Sequence, residues 1–268
     1  MEMTDEERRL RLEFYQLEKY YRPLFDLYTE NQSEYPEYQG ASTIDGYLSY
    51  KPDVLILGYN PAHGKYHDWN KNGAHLVYTG ERPLGIFEWG NANKNGAWYE
   101  MSKPKKHPYL KDILEFLFKL AELRNWEKRE SANKRPSWKN HAEKAIMIMN
   151  LYPIGTENGD TLRNLFTKTI AKNAVPYDSI FEDEWALRKH LLYKLHQFVD
   201  KYVKPKAILC LGKSTISDFC WGGENFSQSD YDGVFVGKNY KNVVGVSRAG
   251  TWTSRAKNAA YLINDILG

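Results

Sequence analysis

Asp53-Val54-Leu55-Ile56-Leu57-Gly58-Tyr59-Asn60-Pro61 is the stretch on which the fold turns. Four aliphatic side chains in a row, closed by Gly, read as a short strand buried on both faces, because a strand with one wet face would alternate. The Asn-Pro pair that follows is a turn opener. Three more runs have the same character: 145–149 (Ala-Ile-Met-Ile-Met, then Asn150), 207–211 (Ala-Ile-Leu-Cys-Leu, then Gly212) and 243–246 (Val-Val-Gly-Val, then Ser247). Helical spacing fills the gaps between them. Apolar residues recur at Leu110, Ile113, Leu114, Leu117 and Leu120, at Leu191, Leu192, Leu195, Phe198 and Tyr202, and over 254–267. Strands alternating with helices imply crossover connections, so the expectation is an α/β fold: a three-layer α/β/α domain around a four-stranded, mainly parallel sheet.

Upstream, Thr4 and Glu7 have capping-box spacing, and Leu10, Phe14, Leu17, Tyr21 and Leu24 follow at steps of four and three. The chain therefore opens with an amphipathic helix. A single domain is expected over 1–268, with 1–50 as a helical extension and 51–268 as the core. Between Asn60 and His107 lies a long stretch rich in Asn, Gly and large aromatics, including Trp69, Tyr78, Trp89 and Trp98. Such a stretch is functional or disordered, and its aromatic content speaks against disorder.

Composition narrows the class. The 268 residues carry 37 basic and 34 acidic side chains, for a net charge of +3. The distribution is uneven. Residues 1–50 hold 5 basic against 11 acidic side chains, whereas 102–144 hold 12 against 6, including Lys103, Lys105, Lys106, Lys128, Arg129, Lys134, Arg135 and Lys139. The basic stretch either faces a polyanion or is a solvated surface. The longest apolar runs are five residues, against about 20 needed to span a bilayer, so no membrane segment is expected. The acidic N-terminus has no apolar stretch of the export type, and the expected location is cytoplasmic. Cys210 and Cys220 are too few for a thiolate cluster.

Several familiar chemistries are refused by spacing. Gly212-Lys213-Ser214 is not a phosphate loop, because the position five before Gly212 is Ala207, inside an apolar run. A βα turn at that point still suits an anion. His63, His67 and His75 stand four and eight residues apart with only Asp68 nearby, a poor ligand set, so no metal is expected. No Gly-x-Ser-x-Gly elbow exists for a serine nucleophile.

In a sheet of this kind, ligands collect at the carboxyl ends of the strands. Those ends carry Gly58-Tyr59-Asn60-Pro61-Ala62, Asn150, Gly212-Lys213-Ser214 and Ser247-Arg248-Ala249-Gly250. Taken in order on their elements, from about residue 50 to the end, they resemble the uracil-DNA glycosylase superfamily. The match is to the Gly-x-Asn-Pro branches, mismatch-specific and single-strand-selective. The chain departs from the family in the last motif, where Ser247-Arg248-Ala249 replaces a His or Asn followed by Pro-Ser.

The resemblance implies a DNA-repair hydrolase that flips a base and cleaves its N-glycosidic bond without cofactor or metal. It casts Asn60 as the residue that positions water, a weaker push than a carboxylate and hence a slow one. Asn150 reads the base edge with a donor and an acceptor, Tyr78 stacks on the base, and Tyr59 and His63 belong to the same pocket. Arg248, beside Ser247, takes the leaving-group role of the missing His or contacts a phosphate. Lys213, Ser214, Gly250, Trp252 and Arg255 are the expected DNA contacts, with Trp252 either a wedge in the duplex or a cover for the sheet end. The alternative is a relative without hydrolytic activity that keeps the pocket for a nucleotide, a nucleic acid or a protein partner.

Overall fold

Thr4 and Glu7 close the capping box that their spacing announces: Glu7 N donates to Thr4 Oγ1 at 3.2 Å and Thr4 N to Glu7 Oε2 at 2.8 Å. In the computed structural model, which describes residues 4–41, 43–44, 48–60, 108–126, 145–248 and 252–268, this box starts helix α1 (Asp5–Glu30). The expected stripe of Leu10, Phe14, Leu17, Tyr21 and Leu24 is buried, joined by Phe25 and Tyr28. The chain divides into two packed units.

The first unit takes its described residues from Met1–Asp45, Tyr59–Ile86 and Asn150–Val203. It holds α1, α3 (Gly159–Ala171) and α4 (Glu184–Phe198), with a single π-helical turn, Val199–Val203, continuing α4. The side chains of Asn158 and Asp183 cap α3 and α4, accepting from Thr161 N at 2.9 Å and Ala186 N at 2.7 Å. Both α1 and α3 pack on α4. Residues 39–41 and 43 run beside 150–155, tied by Gln39 N to Gly155 O, Gly155 N to Gly40 O and Asn150 N to Thr43 O, with an antiparallel bridge between Ala41 and Ile154.

The second unit draws on Gly46–Gly58, Phe87–Met149 and Lys204–Gly268. Its sheet comprises β1 (Val54–Gly58), β2 (Ile146–Asn150), β3 (Ala207–Leu211), β4 (Phe226–Gln228), β5 (Val234–Gly237) and β6 (Val243–Val246), in the order β2-β1-β3-β6-β5-β4. β1, β3 and β6 are parallel, with Leu55 opposite Ile208 and Leu209 opposite Val244. β5 runs antiparallel to both β6 and β4. The sheet is therefore six-stranded and mixed, not four-stranded and mainly parallel. The four expected strands are β1, β2, β3 and β6, and β4 and β5 extend the β6 edge.

Helices α2 (Pro108–Leu123) and α6 (Trp252–Leu267) pack together on one face, over Val54, Ile56, Ile148, Leu209, Val244 and Val246. Side chains alternate along a strand, so Gly245 points to the opposite face, where it meets α5 (Lys213–Phe219). A Cβ on Gly245 would lie 2.8 Å from Ile216. Only a residue without a side chain lets α5 approach β6 this closely.

Candidate functional site

The strand order fixes where a ligand crevice is expected. β1 leads to β2 on one side, while β3 leads toward β6 on the other, so the topological switch point falls between the carboxyl ends of β1 and β3. β1 runs on into Tyr59 and Asn60.

Asn60 is held by the far side of its own unit. Its Nδ2 donates to Thr156 Oγ1 at 2.9 Å and reaches Ile154 O and Thr156 O at 3.4 Å. Thr156 Oγ1 spends its one proton on Asn158 O at 2.8 Å, so it can only accept from Asn60. Two carbonyls and a committed hydroxyl leave the amide a single orientation. The NH2 group faces inward, and Oδ1 has no protein partner among the described residues. Chemically, the residue is an anchored hydrogen-bond acceptor at the end of a central strand.

Tyr59 is clamped rather than presented. Its carbonyl accepts from Tyr152 N at 3.0 Å, and its ring meets the Tyr152 ring edge-on at 5.2 Å. The ring also lies where Gly159, the first residue of α3, would carry a Cβ, 2.9 Å away. Its hydroxyl accepts a long bond from Arg188 Nη1 at 3.4 Å. Arg188 is 7% exposed and is neutralised by Glu184, through Nε to Oε2 at 2.5 Å and Nη2 to Oε1 at 3.0 Å. Its guanidinium also covers Trp185 at 4.5 Å from the ring centroid. Sequence reading passed over this pair, although Glu184 and Arg188 stand at the helical i, i+4 spacing that would have signalled it.

Asn150 ends β2 at 2% exposure, its N–H fixed by Thr43 O at 3.0 Å. Thr43 is also hydrogen-bonded through its side chain to Glu18 of α1. Burial pushes the Glu18 carboxyl up to about 7, opposed by the Thr43 bond and by Arg22. Nothing in the sequence separates Glu18 from the other charged residues of α1, because its enclosure comes from a distant segment.

The second unit holds the remaining candidates. Ser247 N donates to Gly233 O at 2.7 Å, while Arg248 is exposed. Lys213 and Ser214 are exposed at the start of α5, which has only seven residues and no side-chain cap. Lys213 Nζ stands 5.8 Å from the Phe235 ring centroid. Arg255 pairs with Asp232 at 2.8 Å and lies against Gly233, whose φ of +68° and lack of a Cβ make the room. Trp252 takes the second of its two expected places, as a cover for the sheet. It is 8% exposed and belongs to the apolar core under α6, so its indole covers the sheet and is not set out as a wedge. Tyr78, His63 and Gly250 lie outside the described residues, as does most of the basic stretch in 102–144.

Among the described residues, no three His, Cys, Asp or Glu side chains are grouped to hold a metal ion, and no helix is long and apolar enough to cross a membrane. Burial raises the pKa of both free thiols, Cys210 and Cys220, which disfavours the reactive thiolate. Comparison of the chain with protein-family models, curated proteins and solved structures returned no match.

Proposed function

We propose that this chain is a DNA-binding protein with a three-layer core of the uracil-DNA glycosylase type, hydrolysing the N-glycosidic bond of uracil or a modified base without a cofactor. The observation that carries the reading is the fixed Asn60 amide. Water attacking a sugar carbon needs an acceptor aimed at one of its protons, and Oδ1 is the end of Asn60 left for that task. A neutral amide is a weak base, so the reaction depends on the cationic character the sugar develops as the base departs. Turnover is slow in consequence.

Asn150, at the end of β2, takes the part of the base-reading residue, with an amide that carries both a donor and an acceptor for the imide edge of uracil. Arg248 supplies positive charge for the departing base, standing in for the family's His. Lys213, Ser214 and Arg255 take the part of backbone contacts to DNA, and Tyr78 stacks on the base.

Single-turnover assays on oligonucleotides containing uracil, hypoxanthine or a mismatch test this reading. Abasic product is expected from at least one substrate, with Asn60→Ala lowering the rate about 100-fold or more. No product from any of them sinks the hydrolytic reading and leaves a non-hydrolytic relative.

A further inference from the structure

Within the first unit, α1 and α4 with its π-turn enclose a groove of about 200 Å³. Glu13 and Gln16 line it from α1, and Lys194, Gln197 and Lys201 line it from the other wall, three or four residues apart and hence on one face. None of these five side chains makes a hydrogen bond or ion pair with another described residue. Lys194 instead rests over the Tyr20 ring, 5.1 Å from its centroid, and Arg9 lies 5.5 Å from the centroid of Tyr202, the ring at the other end. Tyr20 is itself immobilised, its hydroxyl bonded to His190 Nε2 and its ring stacked on Tyr177 at 5.3 Å. The Tyr20 ring thus holds one cation of the groove, Lys194, without neutralising it. A single π-turn forming part of the wall is a feature that concentrates at functional sites.

We propose that this groove binds an organic phosphate of nucleotide size, with Lys194 and Lys201 meeting the phosphate and the Gln16 and Gln197 amides meeting the polar edge of its body. Ammonium groups bind phosphate as point charges, and side-chain amides offer the paired donor and acceptor that a heterocycle edge presents in reverse. Glu13 accepts from a ligand N–H or O–H and repels a second anion. The same chemistry is offered by a free nucleotide and by one unit of a strand. No residue of this groove takes part in the proposed glycosylase site, so each reading stands or falls alone.

Isothermal titration with uridine and adenosine monophosphates, the two nucleosides, inorganic phosphate and a five-nucleotide single strand tests the proposal. Saturable one-to-one binding of a monophosphate or of the strand is expected, with the nucleosides and inorganic phosphate at least ten-fold weaker. The double substitution Lys194→Glu, Lys201→Glu should lower that affinity at least ten-fold, Lys194→Gln with Lys201→Gln should lower it in the same direction, and Asn60→Ala should leave it unchanged. Circular dichroism melting confirms that the variants fold. Binding of the monophosphate assigns the site to a free nucleotide; binding of the strand alone assigns it to nucleic acid. The proposal is overturned by absence of saturable binding of any probe at millimolar concentration, by inorganic phosphate binding as well as the nucleotide, by affinity indifferent to both lysine pairs, or by loss of binding in Asn60→Ala.

Discussion

Glu18 carries its carboxyl against Thr43, and burial there pushes its pKa to about 7 from an ordinary 4.5. The folded chain therefore keeps a proton that the unfolded chain releases between those two values, and stability falls as pH rises through that window. Glu18→Gln mimics the protonated form. It should match the wild type near pH 4 and exceed it at pH 8, by roughly 3 kcal/mol at most. Urea denaturation at the two pH values reads this directly, and parallel pH profiles for the two proteins would rule it out. At this scale the sequence was only partly legible. Asn60 and Asn150 could be picked out because each ends an apolar run, whereas Glu18 looks like any helix-flank charge until Thr43, 25 positions away in number, closes over it.

Helix α4 reaches Tyr59 through one charged pair of its own. Glu184 neutralises Arg188, and Arg188 in turn reaches the Tyr59 hydroxyl next to the Asn60 anchor. Removing Glu184 strands the buried guanidinium of Arg188, whereas Glu184 itself is only partly buried. Glu184→Gln is expected to cost about 3–5 kcal/mol, while adding Arg188→Met should recover part of the loss, since both charges are then gone. Equilibrium unfolding of the two single variants and the double variant completes the cycle; strictly additive losses would show that the pair is not coupled. Among elements, the strands buried on both faces were readable as unbroken apolar runs, and α1 was readable from its box and stripe. β4 and β5 were not, because strands of three and four residues at a sheet edge need little apolar pattern to pair. α3 escaped for a related reason. Its Leu162, Leu165 and Phe166 are buried, yet the next buried place on the stripe is the polar Thr169, and the Asn158 cap becomes visible only with the Thr161 N–H beside it.

For the molecule as a whole, the proposed DNA partner makes an ionic prediction. A net charge of +3 is too small to hold a duplex, but its uneven distribution leaves local excess. Binding that neutralises about four phosphates should give a log affinity against log salt slope of roughly −3 to −4, measured by fluorescence anisotropy of a labelled oligonucleotide between about 50 and 200 mM salt. A flat response, or no binding at low salt, removes DNA as the partner. The amino-acid order alone determined the α/β class, four strands of the sheet, the opening helix and two strand-ending amides, because each depends on burial periodicity among near neighbours. Tertiary structure decided the mixed six-stranded order, the inward turn of Trp252 and the single orientation of Asn60. That orientation rests on a hydroxyl 96 positions away, and Tyr59 is met by a guanidinium 129 positions away. Contacts of that span exist only once the chain has closed on itself, so no local pattern encodes them.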